Sequence, residues 1–125
     1  MFIIKKFKFN SAHNLLSYKG KCERLHGHTY ELVIVVKGYP DKEGMIIDFL
    51  ELKELVKKEV IDILDHSYLN DIISQPTAEN IAIWVWNKLE KKLKKENCNL
   101  YEVQVWETSE SGVIYRGENF EGYTK

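Results

Sequence analysis

Alternating apolar and polar positions predict strands near both ends of the chain. The stretch FIIKKFKFNSAH alternates in part up to His13, and a second period-two run, rich in β-branched residues, begins at His28. The segment GYPDKEG contains the turn residues that end this second strand. Towards the other end, LYEVQVWET and, after the turn SESG, VIYRGE predict two more strands.

Between these strand pairs, apolar residues recur at the spacing of two helices. The first helix begins at Asp48, with Glu51 placed as in a capping box, and extends to about Leu64. The second begins in the segment PTAEN, where Thr77 is a good N-cap, and ends in a lysine-rich solvated stretch. The segment DHSYLNDIISQ between them is predicted to be irregular.

The order strand, strand, helix, helix, strand, strand predicts an α+β fold. A four-stranded antiparallel sheet with both helices on one face accounts for this order, and residues 1–125 form a single domain. The other face of the sheet and its edge strands would otherwise be exposed to solvent. Association with further copies of the chain is one way to bury them.

Charge and composition exclude several classes of partner. The 18 basic and 19 acidic residues nearly cancel, so no overall field attracts the chain to nucleic acid or to a membrane surface. Lysines interrupt the apolar residues of the N-terminal segment MFIIKKFKFN, which therefore lacks the core of a signal peptide. No stretch approaches the roughly 20 apolar residues of a spanning helix. We therefore expect a cytoplasmic protein.

Three of the four histidines are placed to share one site. His26 and His28 point to the same side of the second strand, and His13 ends the first strand, its expected hairpin neighbour. Three imidazoles from adjacent strands predict a zinc site with an open fourth position, as in catalytic zinc centres. The alternative is that each histidine is a polar residue at a strand end.

The two cysteines need separate interpretations because a reducing compartment makes a disulfide unnecessary. Cys22, four residues before His26, is a small partly buried residue, a fourth zinc ligand, or a base with a lowered pKa. Spacing does not separate ligand from base. Cys98 lies between two asparagines in a predicted turn and is interpreted as structural.

Asp65 and His66 follow each other at the end of the first helix. A carboxylate beside an imidazole suits a proton shuttle. From these residues alone, a cationic histidine that stabilises the helix C-terminus is the favoured interpretation.

Glu107 continues the apolar face of the third predicted strand. A carboxylate there either lies at the rim of the sheet or accepts paired N–H donors, such as those of a guanine or pterin ring. Thr77 and Glu79, at the start of the second helix, are explained by capping and by the helix dipole.

Several motifs, in this order, resemble the 6-pyruvoyltetrahydropterin synthase superfamily, especially its 6-carboxytetrahydropterin synthase branch in queuosine biosynthesis. They are His13, CERLHGH, GMIIDF, LDHSYLND, PTAEN, WET and IYRGE. The resemblance implies the tunnelling fold, which trimerises into a barrel and stacks as a dimer of trimers with active sites between subunits.

The resemblance also implies three sets of site residues. The zinc ligands are His13, His26 and His28. The catalytic proton-transfer residues are Cys22, Asp65 and His66. The substrate-binding residues near the pterin ring are Glu107, Thr77 and Glu79. Ala78 stands where some relatives have a threonine.

The implied reaction converts 7,8-dihydroneopterin triphosphate to 6-carboxy-5,6,7,8-tetrahydropterin, with release of acetaldehyde and triphosphate. The three residues between Cys22 and His26 match the queuosine branch, since relatives that form the pyruvoyl product have five. Glu23 resembles a glutamate of relatives in folate synthesis, which release a shorter pterin. The alternatives are the pyruvoyl-forming synthase, a folate-branch activity, and a non-catalytic module in which Cys22 is a fourth zinc ligand.

Cations are needed to hold the triphosphate of this substrate. The candidates near the motifs are Lys19, Lys21, Arg24 and Arg116.

Overall fold

A long antiparallel hairpin forms the centre of the sheet in the computed structural model, which describes residues 1–14 and 25–121. Strand β1 (Phe2–His13) pairs with β2 (His26–Gly38) along its whole length. The predicted first strand is confirmed, and the second begins at His26, two residues earlier than the alternation alone indicates. His13, the last residue of β1, is paired with His26, the first residue of β2, so these two histidines face each other across the two strands.

The remaining strands extend the sheet on both sides, in the order β3-β1-β2-β4-β5. Strand β4 (Cys98–Trp106) pairs antiparallel with β2, and β5 (Gly112–Tyr115) pairs antiparallel with β4. The short β3 (Ser67–Tyr68) runs parallel to β1 beside Ser11 and Ala12. Within the part of the chain that the structure describes, the sheet is therefore mixed and has five strands. This is one more than the alternation predicts, because the two residues of β3 are too few to show a period.

The helices begin where the capping residues predict. Asp48 accepts a hydrogen bond from the Leu50 N–H at 2.8 Å, while Glu51 pairs with Lys95 instead of completing a capping box. The first helical segment runs through α1 (Phe49–Val56), a π-helical turn (Lys57–Ile61) and α2 (Asp62–Leu64). Thr77 caps α3 (Ala78–Leu89) by accepting from the Asn80 N–H at 3.1 Å. Among the described residues, no helix is long and apolar enough to cross a membrane.

The core lies between the helices and one face of the sheet. The sheet contributes buried side chains at alternate positions, including Phe9, Tyr30, Leu32, Ile34, Val103 and Val105. The helices contribute Leu52, Val56, Val60, Leu64, Ile81, Val85 and Leu89. Towards the His13–His26 end of the hairpin, this same face changes from apolar residues to Ser11 and the histidines, so the core ends at a polar cluster.

Gly117 packs closely against α3, and replacing it with alanine is expected to destabilise the protein. Its φ of +78° is left-handed, and an added Cβ would lie 2.4 Å from Cζ2 of Trp86. The backbone alone costs about 1–3 kcal/mol for a non-glycine residue, and the clash adds to this. The urea midpoint of Gly117→Ala should fall clearly below that of the wild type.

Gly44→Ala is the matched control for this substitution. Gly44 has a similar φ of +82°, but nothing lies within 4 Å of the position of its Cβ. The midpoint of this variant should therefore fall by the backbone contribution only. Equal losses in the two variants would contradict the packing of Gly117 against Trp86.

Candidate functional site

Three histidines and one glutamate converge at the end of the β1–β2 hairpin. His13 lies opposite His26 in the register, and alternation along β2 places His28 on the same face. Glu107 follows β4, and its Oε1 lies 2.8 Å from His28 Nε2 and 3.7 Å from His13 Nε2. His13 Nε2 lies 3.0 Å from His26 Nε2. One nitrogen or oxygen of each residue lies within 4.8 Å of the others, so the group could hold a metal ion.

The orientation of His13 leaves one ring nitrogen available to a cation. His13 is 1% exposed, and its Nδ1 lies 2.8 Å from the carbonyl oxygen of Pro76. Because a carbonyl only accepts hydrogen bonds, Nδ1 carries the proton and the Nε2 lone pair faces the cluster. Histidines that bind a metal through one ring nitrogen typically donate the N–H of the other nitrogen to a carbonyl or carboxylate.

Tyr30 completes the surroundings of His13. Its hydroxyl lies 3.2 Å from His13 Nδ1, inside the core. Burial raises the pKa of the Tyr30 hydroxyl, and the negative charge of Glu107 raises it further. Tyr30 therefore remains protonated and neutral beside the cluster.

The donor atoms fit a divalent metal ion. Within the described residues, His28 Nε2 is buried and makes no hydrogen bond of acceptable geometry, although Glu107 Oε1 is near. A buried nitrogen without a hydrogen bond is rare and asks for an explanation. Imidazoles together with a carboxylate are ligands that zinc and related divalent ions accept. A cation held by the three imidazoles would give the buried His28 Nε2 a partner.

The surroundings of His28 favour its neutral form, which is the form that binds a metal. Burial lowers the pKa of His28 below its usual 6.5, and the neighbouring His13 and His26 act in the same direction. Glu107 opposes this shift, but its effect is smaller than that of burial.

The metal-free protein is expected to lose stability as the pH falls through about 6.5. In the unfolded chain His28 takes up a proton near that pH, whereas the folded environment resists it, so acid favours unfolding. Chemical unfolding at several pH values in the presence of a chelator measures the slope. His28→Asn, which removes the titrating group, should show a shallower slope. Identical slopes would contradict the lowered pKa of His28.

Asp65 and His66 form a hydrogen-bonded dyad beside β1. His66 Nδ1 lies 2.9 Å from Asp65 Oδ2, and the Asn10 N–H donates to Asp65 Oδ1 at 2.8 Å. That backbone hydrogen bond is the largest reason that the pKa of Asp65 lies below its usual 3.8, and His66 acts in the same direction. His66 and His28 line one shallow cleft together with Ser67. The structure thus brings the predicted relay residues together, next to the strand that carries His13.

The other predicted site residues are placed differently. Thr77 directly follows Pro76, whose carbonyl contacts His13, and its hydroxyl is used as a helix cap. Glu79 is exposed in the first turn of α3. Cys22 lies outside the described residues.

Cys98 is buried, which agrees with its interpretation as a structural residue, but it does not lie in a turn. It is 4% exposed at the first position of β4, where burial raises the pKa of its thiol. Its Sγ lies 3.8 Å from the Leu93 carbonyl.

Arg116 does not lie with the histidines of its own chain. Its Nε and Nη2 each lie 2.9 Å from Oε1 of the buried Glu102. Together with Lys37 and Tyr101 it lines a cleft at the Gly38 end of β2, away from His26. The other suggested cations, Lys19, Lys21 and Arg24, lie outside the described residues.

Two contributions to the site were missed by sequence reasoning. Tyr30 shares the period-two face of His26 and His28, a signal that could have identified it. The Pro76 carbonyl is a backbone group far along the chain, and no sequence pattern indicates its contact with His13.

An α+β fold with a cluster of three histidines and one glutamate defines a candidate metal-dependent enzyme. The family described as 6-pyruvoyl tetrahydropterin synthase matches residues 2–118, so the chain belongs to this family of pterin synthases. The structure of Caenorhabditis elegans 6-pyruvoyl tetrahydropterin synthase superposes with a TM-score of 0.83 at 28% identity, covering 94% of this chain and 96% of that one.

Relatives of similar identity carry three different names. A dihydroneopterin monophosphate aldolase of Pyrococcus furiosus is 40% identical, covering 89% of this chain and 93% of that protein. A 6-carboxy-5,6,7,8-tetrahydropterin synthase of Synechocystis is 39% identical, covering 90% and 91% respectively. A 6-pyruvoyl tetrahydrobiopterin synthase of Dictyostelium discoideum is 38% identical, covering 88% and 91%. These relatives support pterin chemistry but do not select one reaction.

Proposed function

We propose that this protein is a zinc-dependent lyase of queuosine biosynthesis. It converts 7,8-dihydroneopterin triphosphate to 6-carboxy-5,6,7,8-tetrahydropterin and releases acetaldehyde and triphosphate. The observation that carries the proposal is the convergence of His13, His26 and His28, with His13 oriented to present Nε2. The name of the Synechocystis relative agrees with this reaction.

In this proposal, each site residue has a defined role. Zinc bound by the three histidines would polarise the hydroxyl groups of the substrate side chain and acidify the neighbouring C–H bonds. Cys22, as a thiolate, removes a proton from such a bond. Asp65 holds Nδ1 of His66, so that His66 Nε2 is the atom that exchanges protons with the substrate.

Substrate binding is assigned to residues around the same cluster. We propose that Glu107 accepts N–H groups of the pterin ring, and its position beside His28 supports binding of the ring next to the metal ligands. Thr77 and Glu79 lie at the start of α3, whose preceding residue Pro76 contacts His13. They are proposed to lie near the ring.

Two further reactions compete with this one. The pyruvoyl-forming synthase retains the substrate side chain, and the spacing of Cys22 and His26 argues against it. The folate-branch activity is favoured by Glu23, directly after the cysteine, and by the name of the Pyrococcus relative. A chain that carries Cys22 and Glu23 side by side could support a second, shorter cleavage product.

We propose that the protein works as a homo-oligomer, a trimer or a dimer of trimers. Among the described residues, the outer edge of β1 is paired only at Ser11 and Ala12, and β5 has a partner on one side only. Unpaired edges of this kind invite pairing with another copy.

Incubation with the substrate and mass analysis of the products tests the reaction. We expect a carboxypterin and acetaldehyde from 7,8-dihydroneopterin triphosphate. A retained three-carbon side chain would reject the proposal in favour of the pyruvoyl branch. A parallel incubation with the monophosphate tests the folate branch, which a shorter pterin without the carboxyl group would support. Heat-inactivated enzyme is the control for spontaneous breakdown.

A further inference from the structure

Ser11 is a buried polar side chain that the proposed reaction does not use directly. It lies between Phe9 and His13 on the face of β1 that carries the metal-binding group, and it is 7% exposed. In the strand register it lies opposite His28. A hydroxyl buried at such a position needs partners, and these partners belong to the segment of Asp65 and His66.

The Ser11 hydroxyl contacts the two backbone carbonyls that flank the Asp65–His66 dyad. Its Oγ lies within hydrogen-bonding distance of the Leu64 carbonyl and 3.1 Å from the Ser67 carbonyl. Leu64 directly precedes Asp65, and Ser67 directly follows His66. One side chain on β1 therefore lies against both ends of the dyad.

Ser67 extends this network with its own side chain. Ser67 Oγ donates to the Leu64 carbonyl at 2.6 Å and lies 3.1 Å from Ser11 Oγ. The two hydroxyls and two carbonyls form one connected group between β1 and the end of α2. Each of the two hydroxyls supplies only one proton. Loss of either hydroxyl therefore leaves the Leu64 and Ser67 carbonyls with fewer donors.

The backbone of β1 holds the same dyad in an unusual conformation. The His66 N–H donates to the Asn10 carbonyl at 2.6 Å, and the Asn10 N–H donates to Asp65. The φ of His66 is 55°, in the left-handed region that non-glycine residues adopt only when their surroundings impose it. The contacts of Ser11 on either side of the dyad are part of those surroundings.

We propose that Ser11 is a positioning residue that fixes the Asp65–His66 dyad relative to the metal-binding histidines. Ser11 and His13 are two residues apart on one face of a paired strand, so the distance between them is rigid. The network around Ser11 transfers this rigidity to His66. The inference rests on the proposed function, in which the dyad relays protons.

Ser11→Ala, compared with the wild type in the metal-loaded form, tests this role. Because the relay is displaced while the ligands stay, kcat should fall about tenfold or more, which is part of the roughly 10²–10⁴-fold that general acid–base catalysis contributes. The KM and the metal content should stay close to wild type, and the pH profile of kcat should shift. The ring signals of His66 in NMR spectra should move, which reports the position of the dyad without any turnover.

Cys98→Ala is the control for a general loss of packing. It truncates a buried side chain of similar size at the other end of the sheet. It should leave the pH profile of kcat and the His66 signals unchanged. If Ser11→Ala does not fold, Ser67→Ala replaces it, since it breaks the same network from its partly exposed side and should shift both readouts in the same direction.

The outcomes separate this inference from the proposed reaction. If the wild type is active and the variant shows an unchanged pH profile and unmoved His66 signals, only the role of Ser11 is overturned. If the wild type does not convert the pterin substrate but the variant moves the His66 signals, the reaction is wrong and the positioning role stands. Unmoved signals in an inactive protein would overturn both.

Discussion

His28→Ala is expected to lose tightly bound metal and, with it, all turnover of the pterin substrate. Its Nε2 is buried without a hydrogen bond of acceptable geometry within the described residues and lies in the cluster with His13, His26 and Glu107. Removing a residue that hydrogen-bonds to a metal ligand typically weakens metal affinity about 10–100-fold. Removing the ligand itself should weaken the affinity by more than this. Competition with a chromogenic chelator measures the affinity.

The matched control for this loss is His66→Ala. His66 carries an imidazole in the same cleft but is not part of the metal-binding group. We expect this variant to keep the metal at wild-type affinity while its turnover falls. If His28→Ala binds the metal with wild-type affinity, His28 is not a metal ligand.

Cys22→Ala is expected to abolish turnover while the metal and the fold are retained. In the proposed reaction the thiolate is the base, and general acid–base groups contribute about 10²–10⁴-fold to the rate. If the three histidines suffice to hold the ion, the thiol is not needed for binding. Single-turnover kinetics and elemental analysis of the same preparation measure both properties.

The same variant separates the enzyme from a zinc-stabilised binding module. In such a module Cys22 would be the fourth ligand, and its removal would release the metal and destabilise the fold. Cys98→Ala, which removes the buried structural cysteine, controls for thiol loss in general. If Cys22→Ala loses its stoichiometric metal and Cys98→Ala keeps it, the result favours the module over the lyase.

The histidine cluster was predictable because period-two alternation decides which strand residues share a face. His26 and His28 are separated by one residue, and hairpin pairing brings His13 opposite His26. The capping residues Asp48 and Thr77 likewise fixed the helix starts, because their side chains accept N–H groups at the predicted positions.

The contacts that join distant segments were not predictable. Glu107 meets His28 because of the register between β2 and β4, which places Trp106 opposite Glu31 and which no periodicity specifies. The two-residue β3 and its contact with Ser11 depend on packing of the helix end against β1. Such contacts come from tertiary structure and leave no local pattern in the sequence.

Metal analysis of the native protein, purified without chelator, decides whether the histidine cluster holds an ion. We expect about one zinc ion per chain, held by His13, His26 and His28. If the protein contains no transition metal and does not take up zinc when it is supplied, the three histidines are not a metal centre and the proposed reaction fails with them.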